Sequence, residues 1–351
     1  MRHSFRNWVR GIVVGSMLIG ASLACDSQEI INTLSYTEVP TIGYQTVEPV
    51  ITLGPSVTPN AGQADGETIK ICSFNIQNLG LSKMSDPEVM GTLADILAQC
   101  DITAVQEVSD VSGQVMAALV YDTMNGSAKY DSTYDFELSP RIGLNRSSSN
   151  AEQYAFVYNA DRISVARWEG TKLAYVYPDG MSGIEDIFAR EPYIVEFRAG
   201  KFDFALATIH TKPDDAEREI CSLAKVIEDA QARFSEGDVL VLGDFNSDGS
   251  YFNEDISAAE CALKDQKYSW LIGDSLDTTV SVKNDNTYDR IVGDSRFMGE
   301  DFTGLSGVFY FDQAQLEGSP FVMVPTTLET KEYSDHYPVW AIFYMNRDTD
   351  P

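Results

Sequence analysis

Residues 238–246 read Asp-Val-Leu-Val-Leu-Gly-Asp-Phe-Asn. The apolar run Val239–Leu242 has the length and flanking residues of a buried strand, and it stops at a glycine followed by an acid and an amide. Upstream, Phe202–His210 (FDFALATIH) reads as a second strand, one that ends in a histidine. Ala216–Phe234 lies between them and carries a helical stripe through Ile220, Leu223, Val226 and Ile227. Further out, residues 68–76 (TIKICSFNI), 101–108 (DITAVQEV), 154–158 (YAFVY), 193–197 (YIVEF), 288–292 and 338–344 read as strands, and 87–100 as a helix. Strands outnumber helices, and some lie close enough in sequence to form hairpins. The expected fold class is therefore α/β with mixed sheets, rather than a doubly wound parallel sheet. Neither GxGxxG nor GxxxxGK[ST] occurs, so no glycine-rich phosphate loop is expected.

Polar residues collect where these strands end. Asn75 follows the first strand core, Glu107 ends the second, and Glu152 begins the third. His210 closes its strand, Asp244 and Asn246 follow Val239–Leu242, Asp289 lies in Tyr-Asp-Arg-Ile, and Asp335 and His336 precede the last strand. A single strand-end acid usually caps a turn. Here, however, both histidines beyond His3 fall at strand ends beside carboxylates. Metal-assisted phosphodiester hydrolysis needs an activated water, charge stabilisation and protonation of the leaving oxygen, and this inventory suits it. Carboxylate and amide oxygens suit Mg²⁺ or Mn²⁺.

The chain has 351 residues, 44% hydrophobic and 22% charged, a globular balance that excludes a wholly disordered or collagenous protein. Its 53 acids against 25 bases give a net charge of −28, which excludes a polyanion-coating protein. Any nucleic acid must be held locally, with help from cations. Arg2, Arg6 and Arg10 precede the uncharged stretch 11–24, the pattern of an export signal and too short for a membrane span. Ser22-Leu23-Ala24-Cys25 is similar to a bacterial lipoprotein cleavage box, except that Ser22 stands where leucine is usual. Cys25 is thus a candidate lipid anchor, with simple secretion the alternative. Residues 26–67 lack Lys and Arg and contain Pro40, Pro49, Pro55 and Pro59, so 25–67 reads as a flexible tether before a catalytic domain at 68–345 and a short tail, 346–351. With Cys25 set apart, Cys72, Cys100, Cys221 and Cys261 allow three pairings, and a Cys221–Cys261 bridge is favoured among them.

Nine segments in order carry a family resemblance: Ser73-Phe74-Asn75-Ile76, Gln106-Glu107-Val108, Arg190-Glu191-Pro192, Ile209-His210-Thr211, Gly243-Asp244-Phe245-Asn246, Trp270-Leu271-Ile272, Asp277-Thr278-Thr279, Tyr288-Asp289-Arg290-Ile291-Val292 and Ser334-Asp335-His336-Tyr337-Pro338-Val339. The sequence resembles the endonuclease/exonuclease/phosphatase superfamily, most closely its deoxyribonuclease I branch. The resemblance implies a four-layered α/β/β/α sandwich of two mixed sheets. It implies Glu107 as the principal Mg²⁺ or Mn²⁺ carboxylate, with Asn75 and Asp335 beside it. His210 and His336 become the acid–base pair, oriented by Glu152 and Asp289. Asp244 and Asn246 position water and phosphate, and Arg190 (like Asn75) contacts phosphate. Structural Ca²⁺ is implied at Asp277, Thr279 and Ser281, although Lys283 replaces an oxygen ligand. A second Ca²⁺ loop would use Asp179, Asp186, the Phe188 carbonyl and Glu191.

The departures concern DNA grip and one disulfide. The family's groove-inserting Arg and Tyr side chains correspond to Gln77, Ser109 and Asn150, with Arg141 and Arg146 as candidate substitutes. The family's characteristic disulfide is missing, and Gly249 and Thr287 lie near its place. Three functions are compatible with these residues: an exported, monomeric, nonspecific DNA endonuclease leaving 5′-phosphate ends; the same hydrolytic centre acting on a lipid headgroup, a nucleotide or RNA; and a non-catalytic surface binding module. The third sits poorly with the presence of all of Glu107, His210, Asp244, Asp289 and His336.

Overall fold

Strand β1 (Thr68–Leu79) sets the layering, because its alternate side chains enter two different cores. Ile69 and Ile71 pack into one core, and Cys72, Phe74 and Ile76 into another. The computed structural model describes residues 68–143, 151–181, 184–315 and 318–347. The export signal, Cys25, the tether, Arg146, Asn150 and the end of the tail fall outside them. Among the described residues no helix is long and apolar enough to cross a membrane.

The remaining main strands are β2 (Ile102–Val108), β3 (Tyr134–Leu138), β4 (Gln153–Asn159), β5 (Tyr193–Ala199), β6 (Phe202–His210), β7 (Val239–Asp244), β8 (Tyr268–Trp270), β9 (Asp289–Asp294), β10 (Phe302–Val308) and β11 (Val339–Tyr344). One sheet has the order β10-β11-β1-β2-β4-β3. The other runs β8-β9-β7-β6-β5 and continues into short strands at Ser164–Val165 and Ala174–Val176. β1 and β2 pair in parallel, as do β6 and β7, while the other main-strand pairs are antiparallel, so both sheets are mixed.

Three apolar cores make four layers. Between the sheets lie Ile69, Ile71, Ile102, Ala104, Phe156, Phe197, Phe204, Leu206, Leu240, Leu242 and Ile291. Outside the first sheet, α1 (Pro87–Leu97) packs Val89, Met90, Leu93 and Ile96 onto Phe74 and Val105. Outside the second, α2 (Ala216–Phe234) lays Ile220, Leu223, Val226 and Ile227 on Ala205, Ala207 and Val241. Helix α1 begins at Pro87, and the Asp86 side chain accepts the N–H groups of Glu88 and Val89. Disulfide Cys72–Cys100 ties the segment after α1 to β1, and Cys221–Cys261, the favoured bridge, ties α2 to the loop before β8.

Among the main strands the sequence pattern misses three. β3 is a short edge strand with acids at Asp135 and Glu137, and β8 has only three residues. β10 (FTGLSGV) contains two glycines, which normally weaken a strand. Gly307 lets the strand pass close to Trp340: a Cβ at that position would stand 3.2 Å from the ring.

Glu196 is the misfit of the outer face of β5. Its carboxylate is buried and its Oε2 accepts no hydrogen bond. Burial, reinforced by Asp203 and opposed by Arg198, pushes its pKa up from 4.5 to about 7. A carboxyl raised in the folded state favours folding while protonated, so this contribution is lost as pH rises from about 4.5 to about 7. Glu196→Gln should therefore match the parent near pH 4 and exceed it in unfolding free energy by about 1–3 kcal/mol near pH 8. Urea titration at both pH values checks this, and an equal difference at both would contradict it.

Candidate active site

At one end of the sandwich the inward-facing columns of the strands turn from apolar to polar. On β1, Ser73, Asn75 and Gln77 continue the column of Ile69 and Ile71, and on β2 Gln106 continues Ile102 and Ala104. On β6, Thr208 and His210 continue Phe204 and Leu206, and on β7 Asp244 continues Leu240 and Leu242. Asp289 starts the column of Ile291, and Glu152 precedes Tyr154 and Phe156 by the same period of two. The change of character is marked by buried Gln106, whose Nε2 donates to Ser73 Oγ at 3.1 Å and across the sheets to Thr208 Oγ1 at 2.8 Å.

The two imidazoles meet around Asp244. His210 Nδ1 lies 3.1 Å from Glu152 Oε1, and its Nε2 lies 3.5 Å from Asp244 Oδ2. His336 Nδ1 lies 2.7 Å from Asp289 Oδ2, and its Nε2 lies 3.5 Å from the same Asp244 oxygen. Burial disfavours the charged form of His336, but the charges of Asp289 and Asp244, with the Asp289 hydrogen bond, outweigh it and raise its pKa to about 10. Burial likewise opposes protonation of His210. Glu152 and Asp244 raise its pKa, while the Arg190 cation works against them. Burial raises the pKa of Asp289. Burial also works against ionised Asp244, yet both imidazoles and the Asn246 N–H hold its pKa below the usual carboxylate range.

Backbone geometry makes these approaches feasible. Gly243 has φ +147°, and a Cβ there would lie 1.9 Å from the Ile209 carbonyl oxygen. Only glycine lets β7 run beside β6 with His210 opposite Asp244. Beyond it, the Asn246 N–H donates to Asp244 Oδ1 at 3.0 Å, and Asn246 Nδ2 donates to the Thr211 carbonyl at 3.2 Å. Arg290, 1% exposed, holds this loop from below. It donates to Ser247 Oγ at 2.6 Å, the Ile272 carbonyl at 2.9 Å and Asp274 Oδ1 at 2.6 Å. Ser247 Oγ donates to the Thr287 carbonyl at 2.9 Å, and Asp248 Oδ2 accepts the Thr287 N–H at 2.7 Å. Hydrogen bonds thus join the two segments that the family's missing disulfide would have linked.

Ser334 fixes the Ser-Asp-His segment. Its hydroxyl donates to the Asn75 carbonyl at 2.6 Å and accepts the N–H groups of His336 at 3.1 Å and Gln77 at 3.3 Å. Glu107, next to last in β2, has φ +61°, and its Oε2 accepts the Asn78 N–H at 2.8 Å. Asn75 Nδ2 donates to Glu107 Oε1 at 3.1 Å and Asp244 Oδ2 at 3.0 Å. That leaves Asn75 Oδ1 buried without a donor, and Asp335 Oδ1 is in the same condition. Orphaned oxygens beside an acid suit a hard divalent cation, so Glu107, Asn75 and Asp335 fit the ion expected of them. Asp244, Asp289 and His336 also bring one donor atom each within 4.8 Å of the others. There the 2.7 Å Asp289–His336 bond occupies Nδ1, while Nε2 stays turned toward Asp244.

Arg190 is placed beside the site rather than in open solvent. Its Nε and Nη2 donate to the His210 and Thr211 carbonyls, both at 2.8 Å, and its Nε is 3.6 Å from Glu152 Oε1. Glu219, wholly buried on α2, accepts the Ala189 N–H at 3.1 Å and the Lys212 N–H at 3.3 Å. Its only signal in the sequence is an acid on the apolar stripe of a helix. In the first expected Ca²⁺ loop, Asp277 Oδ1 accepts the Thr279 N–H and hydroxyl, both at 2.8 Å, and Ser281 Oγ accepts the Lys283 N–H at 3.3 Å. In the second, Asp179 Oδ2 accepts the N–H groups of Ile187 at 2.7 Å and Phe188 at 2.6 Å. Burial, with Asp186 and Glu191 nearby, raises the Asp179 pKa, and its Oδ1 accepts no hydrogen bond. Of the groove positions, Gln77 turns to Asp335, the Ser109 N–H bonds the Leu79 carbonyl at 2.9 Å, and Arg141 donates to the Ala151 carbonyl.

A sandwich of two mixed sheets with this polar end defines a class, and comparison with known proteins agrees. The chain belongs to the endonuclease/exonuclease/phosphatase family, whose profile matches residues 72–305. Within it the chain falls in the deoxyribonuclease I branch. It is 32% identical over 283 residues to deoxyribonuclease gamma of Mus musculus, covering 78% of this chain and 84% of that protein. It is 33% identical over 276 residues to deoxyribonuclease-1 of Gallus gallus, covering 78% and 91%. An endonuclease/exonuclease/phosphatase family protein from Leptotrichia buccalis shares the fold, with a TM-score of 0.52 at 16% identity, over 78% of this chain and 99% of that one.

Two outcomes follow. In the metal-free protein, imidazole NMR should find His336 protonated well above pH 8, and Asp289→Asn should lower its pKa by at least about one pH unit; no change would show that Asp289 is not its main brace. Arg290→Ala should lower unfolding free energy by about 2–4 kcal/mol, because it leaves a cavity and unpairs the Ile272 carbonyl and Ser247; thermal unfolding reads this directly.

Proposed function

We propose that the protein is an exported, divalent-cation-dependent phosphodiester hydrolase whose substrate is DNA, cut without sequence specificity. The observation that carries the reading is the pair of imidazoles, each braced at Nδ1 by its own acid and each presenting Nε2 at 3.5 Å to one oxygen of Asp244. Kinship with deoxyribonucleases supports DNA as the substrate. The two disulfides suit an oxidising compartment. Cys25 is the anchor point if the chain is lipidated.

A cation held by Glu107, Asn75 and Asp335 would supply Lewis-acid stabilisation of charge on the phosphate. The chain's own groups do the proton work. His336 faces Asp289, Asp244 and Asp335, keeps its proton, and delivers it from Nε2 to the leaving oxygen. His210, whose charged form the Arg190 cation opposes, takes the proton of the attacking water. Asp244 and Asn246 orient that water, and Glu152 and Asp289 keep each ring in one tautomer. Ca²⁺ at the Asp277 and Asp179 loops would brace the scaffold. A second reading, the same centre acting on another phosphodiester, is favoured by one observation: Gln77 is turned inward, away from any groove contact.

The test is nicking of supercoiled plasmid by the purified protein with Mg²⁺ plus Ca²⁺, and with EDTA. EDTA should abolish nicking, and His210→Ala and His336→Ala should each lower the rate by about 10²-fold or more. Full activity of His336→Ala would sink the acid–base assignment. Absence of nicking, with metal-dependent release from a lipid or nucleotide diester, would replace DNA as the substrate.

A further inference from the structure

Gln77 stands where the family places a groove-inserting basic side chain, yet its Nε2 donates to Asp335 Oδ2 at 2.6 Å. Its own N–H donates to Ser334 Oγ at 3.3 Å, so one residue holds the Ser334–Asp335 segment by backbone and side chain together. Asp335 has a side chain 48% exposed, which left alone would sample several rotamers. The bond from Gln77 occupies Oδ2 and fixes the carboxylate plane, and Oδ1 stays buried with no donor. The neighbouring cation, Lys83, gives its ammonium to the Tyr333 carbonyl, and the charges of Asp335 and Glu107 act on it. A neutral amide braces Asp335 without cancelling its charge, whereas a guanidinium at the same place would add a positive charge beside the site where a cation must sit.

We propose that Gln77 is a positioning residue for the cation carboxylate Asp335, and that this chain has exchanged a duplex-groove contact for tighter hold on its divalent ion. The proposal rests on the reading that Glu107, Asn75 and Asp335 hold that ion. It predicts an effect on metal affinity and none on DNA affinity.

The experiment measures Mn²⁺ binding to the purified full chain by electron paramagnetic resonance of free Mn²⁺, for the parent, Gln77→Met, Gln77→Asn and Glu107→Ala. The Mn²⁺ lost in Glu107→Ala defines the site among the many surface acids. Both Gln77 variants should weaken that component about tenfold, while the KM for plasmid DNA at saturating Mn²⁺ stays at the parent value. Methionine keeps the shape without the donor, and asparagine keeps the amide but shortens its reach. Parental Mn²⁺ affinity in both variants would overturn the proposal and leave the site reading standing. A raised KM for DNA with intact Mn²⁺ affinity would also overturn it, by making Gln77 a substrate contact. Parental Mn²⁺ binding by Glu107→Ala would remove the site reading and the proposal together.

Discussion

A carboxylate oxygen shared by two imidazoles is the constraint on which the polar end of this molecule depends. Asp244 is 2% exposed, and a buried carboxylate is costly unless opposite charge and donors surround it. His210, His336, Asn75 Nδ2 and the Asn246 N–H provide that surrounding, drawn from both sheets and two loops. Behind each imidazole stands a further acid, Glu152 for His210 and Asp289 for His336, which favours its charged form. The result is an alternating array of acid, imidazole, acid, imidazole, acid that is stable as a unit and unstable in any part.

The scaffold beneath is arranged to hold the two sheets in one relation. Phenylalanine, isoleucine and leucine fill the seam between them along most of its length, which fixes their separation but is weakly directional. Direction comes from the polar layer next to the site, where Gln106 bonds Thr208 across the seam, and from Arg290, which ties two loops to β9. These groups perform no chemistry, yet they place residues that do.

Much of this was readable from the chain. The period of two in β1, β6 and β7 and the stripe of α2 are strong because each buries a continuous face. Since site residues continue those same columns, Asn75, His210 and Asp244 could be named as site candidates before any contact was known. β10 was hidden because of its two glycines, of which Gly307 lies against the Trp340 ring, a neighbour supplied by β11, and Gly304 has φ +83°. Glu219 was hidden because an acid on a helix is ordinarily solvated, and only packing shows that its two acceptors serve the loops flanking Arg190.

The sequence by itself determined the alternation of strands and helices, the family, and the identities of the two histidines with their acids, because these depend on local periodicity and on residue order. Only the tertiary structure decided how closely each acid approaches its ring, that Cys72 meets Cys100 while Cys221 meets Cys261, and that Gln77 turns toward Asp335. Those pairings join residues up to 258 positions apart, and their energies depend on distance and burial, quantities that exist only once the sheets have packed.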